Sequence, residues 1–381
     1  MRHFNALSKS ELKTLFKRPP AEFNRDTERE MLGLALGAAL YTPGSRPDFA
    51  AKIIAGSYRR DTFSGLATLM VCLEDAVADT ELASAEANVV SQLKELELAS
   101  GSDAKESPLL FLRIRNAVQL DKLTQLAGSA LGVLTGIVLP KVQAGDLESF
   151  FSALDRASES AGRMLYALPL LETEEVLFAE TREQALTEIY SKLREEKNRI
   201  LTIRVGATDF SSLYGLRRPV ERTIYDVHLI RDCLISILNK FTKAEDGFIV
   251  SGPVYEYFSS ETDGWLTSKP EKVLWEEVQL DVLNGFKGKT CIHPSQIAIV
   301  NAGHIISHET YEDAMLILAK SDTFNGILQS PQRNKMNEVK PHLSWAKKVA
   351  AQAEIYGVLN EHYKPIDVLN HLRAKQLANQ V

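Results

Sequence analysis

Gly288-Lys289-Thr290-Cys291-Ile292-His293-Pro294-Ser295-Gln296-Ile297 reads as a short buried strand that stops on His-Pro. A proline biases the residue before it to extended geometry and cannot donate to a ladder, so regular pairing ends there. The polar residues of this stretch therefore stand at a strand's C-terminal end, where α/β barrels build their sites. Four stretches of the same kind come earlier in the chain, each after an apolar run. They are Cys72-Leu73-Glu74-Asp75-Ala76-Val77, Pro140-Lys141-Val142, Leu171-Glu172-Thr173 and Gly206-Ala207-Thr208-Asp209-Phe210.

Working outward, eight β-rich runs recur: Leu36–Thr42, Leu69–Leu73, Leu109–Arg115, Gly136–Leu139, Leu165–Leu171, Ile200–Val205, Phe248–Ser251 and Thr290–His293. Helix-like segments separate them, among them Glu81–Leu98, Asp146–Ala161, Glu174–Glu195, Tyr225–Phe241 and Pro270–Leu283. Strand–helix alternation implies parallel strands joined by right-handed crossovers. Eight such units over the 258 residues from Leu36 to His293 fit a closed (β/α)8 TIM barrel, which typically takes about 250. The competing architecture is an open doubly wound sheet; no GxGxxG follows the first strand, so its dinucleotide-binding form is disfavoured. We expect three parts: an N-terminal helical extension (1–35, broken at Pro19-Pro20), the barrel (36–300), and a C-terminal helical tail (301–381). The tail's pieces are His308–Ser321 and His342–Leu359, joined by a polar stretch over 325–341.

The chain has 381 residues, 45% of them hydrophobic, enough for a sizeable core. Net charge is -6 with acids and bases intermixed, and no basic run carries interleaved aromatics, which argues against a nucleic-acid surface. Cys72, Cys233 and Cys291 lie far apart and form no CxxC, so we expect reduced thiols and a cytoplasmic protein. Residues 123–140 are uncharged, but glycines at 128, 132 and 136 and the terminal Pro140 suit a helix end, a turn and a strand better than a membrane span.

Glu172 and Asp209 each end an apolar strand, on neighbouring strands five and six. Two carboxylates so placed can share a hard cation such as Mg2+, which takes one or two protein carboxylates and keeps positions for substrate oxygens. Each could instead cap the helix that follows. Glu74 and Asp75 could hold metal-bound waters or act as a base, or be ordinary first-turn acids; alternation lets only one face the barrel mouth unless the chain turns. Arg113 and Arg115 share one side of the third strand by alternation. Guanidiniums inside a barrel must meet anions, either a substrate carboxylate or enolate, or an internal partner such as Glu74, Asp75 or Glu172. Lys141 is either a charge at the site or an ion-paired surface lysine. His293 is either a substrate donor or general acid, or structural. The turn Thr42-Pro43-Gly44-Ser45-Arg46 could bind an anion through Arg46 and backbone N–H groups, or be a plain Pro-Gly turn.

Taken in order, these motifs, with Arg113–Asn116, resemble the citrate lyase β-subunit-like branch of the HpcH/HpaI aldolase family, over about residues 36–300. Within it the chain looks closest to a divergent C–C bond lyase subgroup. The resemblance implies a Mg2+-dependent lyase or aldolase acting on an anionic 2-oxo acid, acyl-CoA or phosphorylated substrate. It also implies Glu172 and Asp209 as metal ligands, Arg113 as stabiliser of an enolate, and a homo-oligomer, a trimer among the options. Four departures stand out: Cys72 and Gln143 replace family acids, Arg115 replaces an asparagine, and 37 positions separate Glu172 from Asp209. The first three make the mouth more positive and point to a more anionic substrate. Two other readings fit the same residues: a non-catalytic barrel that binds an anionic metabolite, and phosphoenolpyruvate-type chemistry.

Overall fold

Seven runs become parallel strands in the computed structural model, which describes residues 1–59, 63–99, 107–259, 265–323 and 326–378. They are β1 (Ala38–Pro43), β2 (Thr68–Cys72), β3 (Leu109–Arg113), β4 (Gly136–Leu139), β5 (Tyr166–Leu171), β6 (Arg204–Val205) and β7 (Lys289–Cys291). Hydrogen bonding runs β6-β5-β4-β3-β2-β1-β7. Isolated bridges close the ring: Ile203 pairs with Val250, and Gly252 with Lys289. Residues 250–252 thus fill the eighth position of a TIM barrel, where the sequence suggested a strand over 248–251. Pairing there is cut to bridges because Pro253, next in the chain, has no N–H to give. The run over 200–205 is also shortened. Leu201 N–H goes to Ala167 on one side and Ile203 N–H to Ile249 on the other, and regular pairing with β5 is confined to Arg204 and Val205.

Alternation sorts side chains into two cores. Leu40, Leu69, Val71, Leu110, Leu112, Ile137 and Leu139 face outward into a cluster with helical residues such as Val89, Leu123, Phe150, Ile189 and Leu234. Ala39, Met70, Phe111, Val138, Leu168 and Leu170 face the barrel axis. Fully burying a side chain such as Phe111 contributes about 1.5–3 kcal/mol, so a one-residue slip of any strand would forfeit several such terms at once. Phe23, Leu32, Ala35, Leu36 and Tyr356 join the axial cluster. Helix Arg29–Ala35 and residues near the end of helix Val339–Tyr356 therefore plug the barrel floor.

Several expected helices change at their ends. The segment 174–195 splits into Glu174–Leu177 and Ala179–Glu195 because Phe178 is extended, its ring packed edge-on against Tyr214. Tyr225–Phe241 becomes a 3-10 turn, Ile224–Asp226, then helix His228–Phe241; Thr223 and Asp226 form a capping box at the turn. The termini meet each other: Phe16–Arg18 pairs antiparallel with Val358–Leu359. In the polar joint of the tail, 324–325 lie outside the described residues, and Ile327–Gln329 pairs with Met336–Glu338 as a hairpin. A last helix, Pro365–Ala378, lies beyond the expected pieces. No described helix is long and apolar enough to cross a membrane.

Candidate active site

Strand ends bring six of the expected residues together at the open end of the barrel. β2 stops at Cys72, and the chain turns at once, with Val77 N–H donating to Glu74 O. That turn lets both Glu74 and Asp75 reach the mouth. β3 delivers Arg113, whose Nη2 meets Glu74 Oε2 at 2.7 Å and Glu172 Oε1 at 3.0 Å, while Nη1 meets Asp75 Oδ2 at 2.9 Å. After β4, Lys141 adopts a left-handed backbone with φ +47°. This costs on the order of 1 kcal/mol or more for a non-glycine residue. It points the Lys141 backbone N–H at Glu172 Oε1 (3.0 Å), and the side chain reaches Glu74 Oε1 (2.7 Å).

Glu172 follows β5 directly, and Asp209 lies in the first turn of helix Ala207–Leu213. Gly206 separates them in space. A Cβ there would overlap Glu172 Oε2, lie 2.6 Å from Glu172 Cβ and 3.3 Å from Asp209 Oδ2. Both carboxylates therefore converge on the space that only a glycine leaves open. Asp209 accepts a hydrogen bond from the Glu172 carboxyl. Burial, reinforced by Asp209 and Glu74 against the opposing pull of Arg113, pushes the Glu172 pKa up to about 8. Burial also raises Asp209, with Asp75 adding to it. Arg113 is held above its ordinary value: burial opposes its charge, but Glu172, Tyr41 and Glu74 outweigh that. Glu74 is raised by burial and by its hydrogen bond to Asp75; Asp75, despite burial, is lowered by Glu74 and Arg113. Both Glu74 oxygens accept hydrogen bonds, Oε1 from Lys141 Nζ and Oε2 from the Asp75 N–H and Arg113 Nη2.

Such a pair suits a hard divalent cation, which needs only one or two carboxylates and would relieve the carboxylate repulsion that adds to burial in raising Glu172. Among the described residues no group of three or more His, Cys, Asp or Glu is arranged to hold a metal, so a site of the zinc type is not formed. A cleft of about 480 Å3 opens beside the pair, lined by Tyr41, Cys72, Arg113, Glu172, Asp209 and Thr290 among others.

Three expected site residues behave differently. Arg115 does not share the face of Arg113, a correction to the alternation argument. β3 ends at Arg113, and Asn116 caps helix Ala117–Ala127, so the chain has turned by residue 115. The Arg115 guanidinium binds Leu73 O (2.9 Å), Val77 O (2.7 Å) and Asp79, clamping the loop that carries Glu74 and Asp75. Arg46 pairs with Asp48 at 2.8 Å, and its carbonyl accepts from Asn88 and Gln92; it stands outside the cleft lining. His293 stacks on Phe258, ring centroids 4.2 Å apart, and its Nδ1 meets Ser295 Oγ at 2.9 Å. Burial lowers its pKa, and it stands outside the cleft lining, beyond Ile292. Tyr41, Arg204 and Thr290 escaped the sequence reading. The available signal was an arginine inside the apolar run Ile200-Leu201-Thr202-Ile203-Arg204-Val205.

No curated protein sequence matches the chain. Among solved structures, protein CitE from Mycobacterium tuberculosis, in complex with magnesium, acetoacetate and coenzyme A, is similar with 23% identity and a TM-score of 0.51, covering 84% of this chain and 99% of that one. A citrate lyase from Burkholderia xenovorans LB400 is similar with 15% identity and a TM-score of 0.62, covering 88% of this chain and 96% of its own. At such identities the likeness shows the shared barrel fold. A family model for carbon–carbon bond lyases of the TIM-barrel fold matches residues 30–358, in line with the resemblance read from the strand-end motifs. The chain belongs to that family, the C–C bond lyases of the TIM-barrel fold.

Proposed function

We propose that the chain is a magnesium-dependent lyase that cleaves or forms a carbon–carbon bond in a small anionic substrate: a 2-oxo acid, an acyl-CoA or a phosphorylated compound. The observation that carries this reading is the convergence of Glu172 and Asp209 over Gly206, with Arg113 on the same Glu172 carboxylate. Glu172 and Asp209 would hold the ion, which when bound supplies Lewis-acid stabilisation of developing oxyanion charge. Three carboxylates pin Arg113 from Glu74, Asp75 and Glu172, so its charge is oriented before any substrate arrives. Its Nε–H is buried without an acceptor among the described residues, leaving one donor unspent for enolate oxygen. The Glu74–Asp75 pair moves the substrate proton. Asp75, which lines the cleft, takes it from the reacting hydroxyl, and Glu74, hydrogen-bonded to the Asp75 N–H, holds that acid in place. Lys141 balances Glu74 and narrows the mouth.

The test is thermal stabilisation by Mg2+ combined with a screen of 2-oxo acids, acyl-CoAs and phosphorylated sugars, with products identified by mass. Glu172→Gln should fold, lose the Mg2+ response and lose turnover. Unchanged Mg2+-dependent turnover in that variant would remove the metal assignment.

A further inference from the structure

Inside the barrel, one layer below Glu172, lies an arginine that the reading above does not use. Arg204 pairs in register with Leu170 on β5, so it faces the axis two residues before Glu172's level. It is 1% exposed. Its Nη2 donates to Thr290 Oγ1, and its guanidinium lies over the Tyr41 ring, 5.8 Å from the centroid. Its Nε–H has no acceptor among the described residues. Among the described residues no carboxylate pairs with it, whereas Arg113 has three. A buried guanidinium without a counter-ion is a stability liability, and the protein keeps this one directly under its cleft. Tyr41 and Thr290, which hold it, line that cleft together with Arg113, Glu172 and Asp209. Because Thr290 Oγ1 accepts from Arg204, the hydroxyl's own proton is left for an acceptor in the cleft.

We propose that Arg204, acting with Thr290 at the cleft floor, is the counter-charge for a second anionic group on the substrate, a carboxylate or a phosphate-like group. The inference rests on the proposed lyase reading, in which the first anionic end of the substrate would meet the ion that Glu172 and Asp209 hold. It narrows the substrate class to dianions. It also accounts for a positive charge in register with Leu170, which belongs to the apolar axial cluster with Met70, Phe111, Val138 and Leu168.

The experiment compares calorimetric binding of pyruvate, oxaloacetate and phosphonopyruvate, with and without Mg2+, to the full-length wild type, Arg204→Met and Thr290→Val. The wild type should bind one of the two dianions about tenfold or more tighter than pyruvate, the worth of one charge-assisted hydrogen bond. Oxaloacetate against phosphonopyruvate tells a carboxylate from a phosphate-like group. Arg204→Met should erase that preference, leave pyruvate binding unchanged, and melt no lower than the wild type when empty. Thr290→Val should weaken the dianion selectively, and it decides the matter if Arg204→Met does not fold. An unchanged preference in both variants overturns the proposal and leaves the metal reading intact. A lower melting temperature with equal loss of all three ligands makes Arg204 structural and also overturns it. Pyruvate binding that ignores Mg2+ in the wild type counts against the metal reading instead, while the Arg204 preference is still measured. Failure of the wild type to bind any of the three overturns both.

Discussion

Glu172 ties the site to pH. Its carboxyl holds a proton up to about 8 in the folded chain against an ordinary 4.5. The unfolded chain releases that proton near 4.5 and the folded chain near 8, so between these values the native state binds the extra proton. Stability of the metal-free protein should therefore fall as pH rises through that window, by at most about 1.4 kcal/mol per pH unit from this group, and level off above it. Mg2+ displaces the proton, so its affinity should rise with pH over the same range. Denaturant melts at several pH values check this: Glu172→Gln should flatten the slope, and equal slopes in both proteins would contradict it. Arg115 makes the opposite kind of prediction. Arg115→Ala should cost about 2 kcal/mol, the loss of charged hydrogen bonds to Leu73 and Val77, with Mg2+ affinity little changed. A large loss of Mg2+ affinity at unchanged stability would return it to the site. The acids and Arg113 were legible in the sequence because each follows an apolar run. The role of Arg115 was not, because alternation holds only while the strand lasts.

At the scale of elements, the site depends on what ends each strand. Gly136–Leu139 was read with the bounds that it has, since a glycine opens it and a proline closes it. The strand over 248–251 was read as regular, because apolar composition does not reveal that its pairing is reduced to isolated bridges at Val250 and Gly252. The break at Phe178 was missed for a similar reason: the helical pattern runs through it, and its cause is the tertiary contact with Tyr214. Gly206 is the element junction on which the metal reading turns. Gly206→Ala places a methyl against Glu172 Oε2 and should separate the two carboxylates. Mg2+ affinity should drop by about tenfold or more as one ligand is displaced, with circular dichroism retained. Wild-type affinity in this variant would show that the pair does not share an ion.

Across the whole molecule, the barrel is closed below and open above, and the ends of the chain do the closing. Phe4, Leu12, Leu15 and Phe16 from the start of the chain share a cluster with Leu359, Val368, Leu369 and Leu372 from its end. The sequence reading kept the two ends apart, since nothing local shows that distant segments pair. It stopped short of helix Pro365–Ala378 although Pro365 at its first position and the spacing of Val368, Leu369 and Leu372 were visible. Leu369→Ala should cost about 2–4 kcal/mol by opening a cavity far from the cleft, and should leave Mg2+ affinity unchanged; loss of metal binding at full stability would link the tail to the site. The eight-unit barrel, by contrast, was legible as strand–helix alternation, because periodicity is a local property that survives folding. The most direct test of the whole account is a crystal soaked in Mn2+ as a stand-in for Mg2+, measured by anomalous diffraction. The account requires a single strong peak bonded to carboxylate oxygens of both Glu172 and Asp209, beside the guanidinium of Arg113. No peak there at saturating Mn2+, or a peak held by other residues, would contradict it.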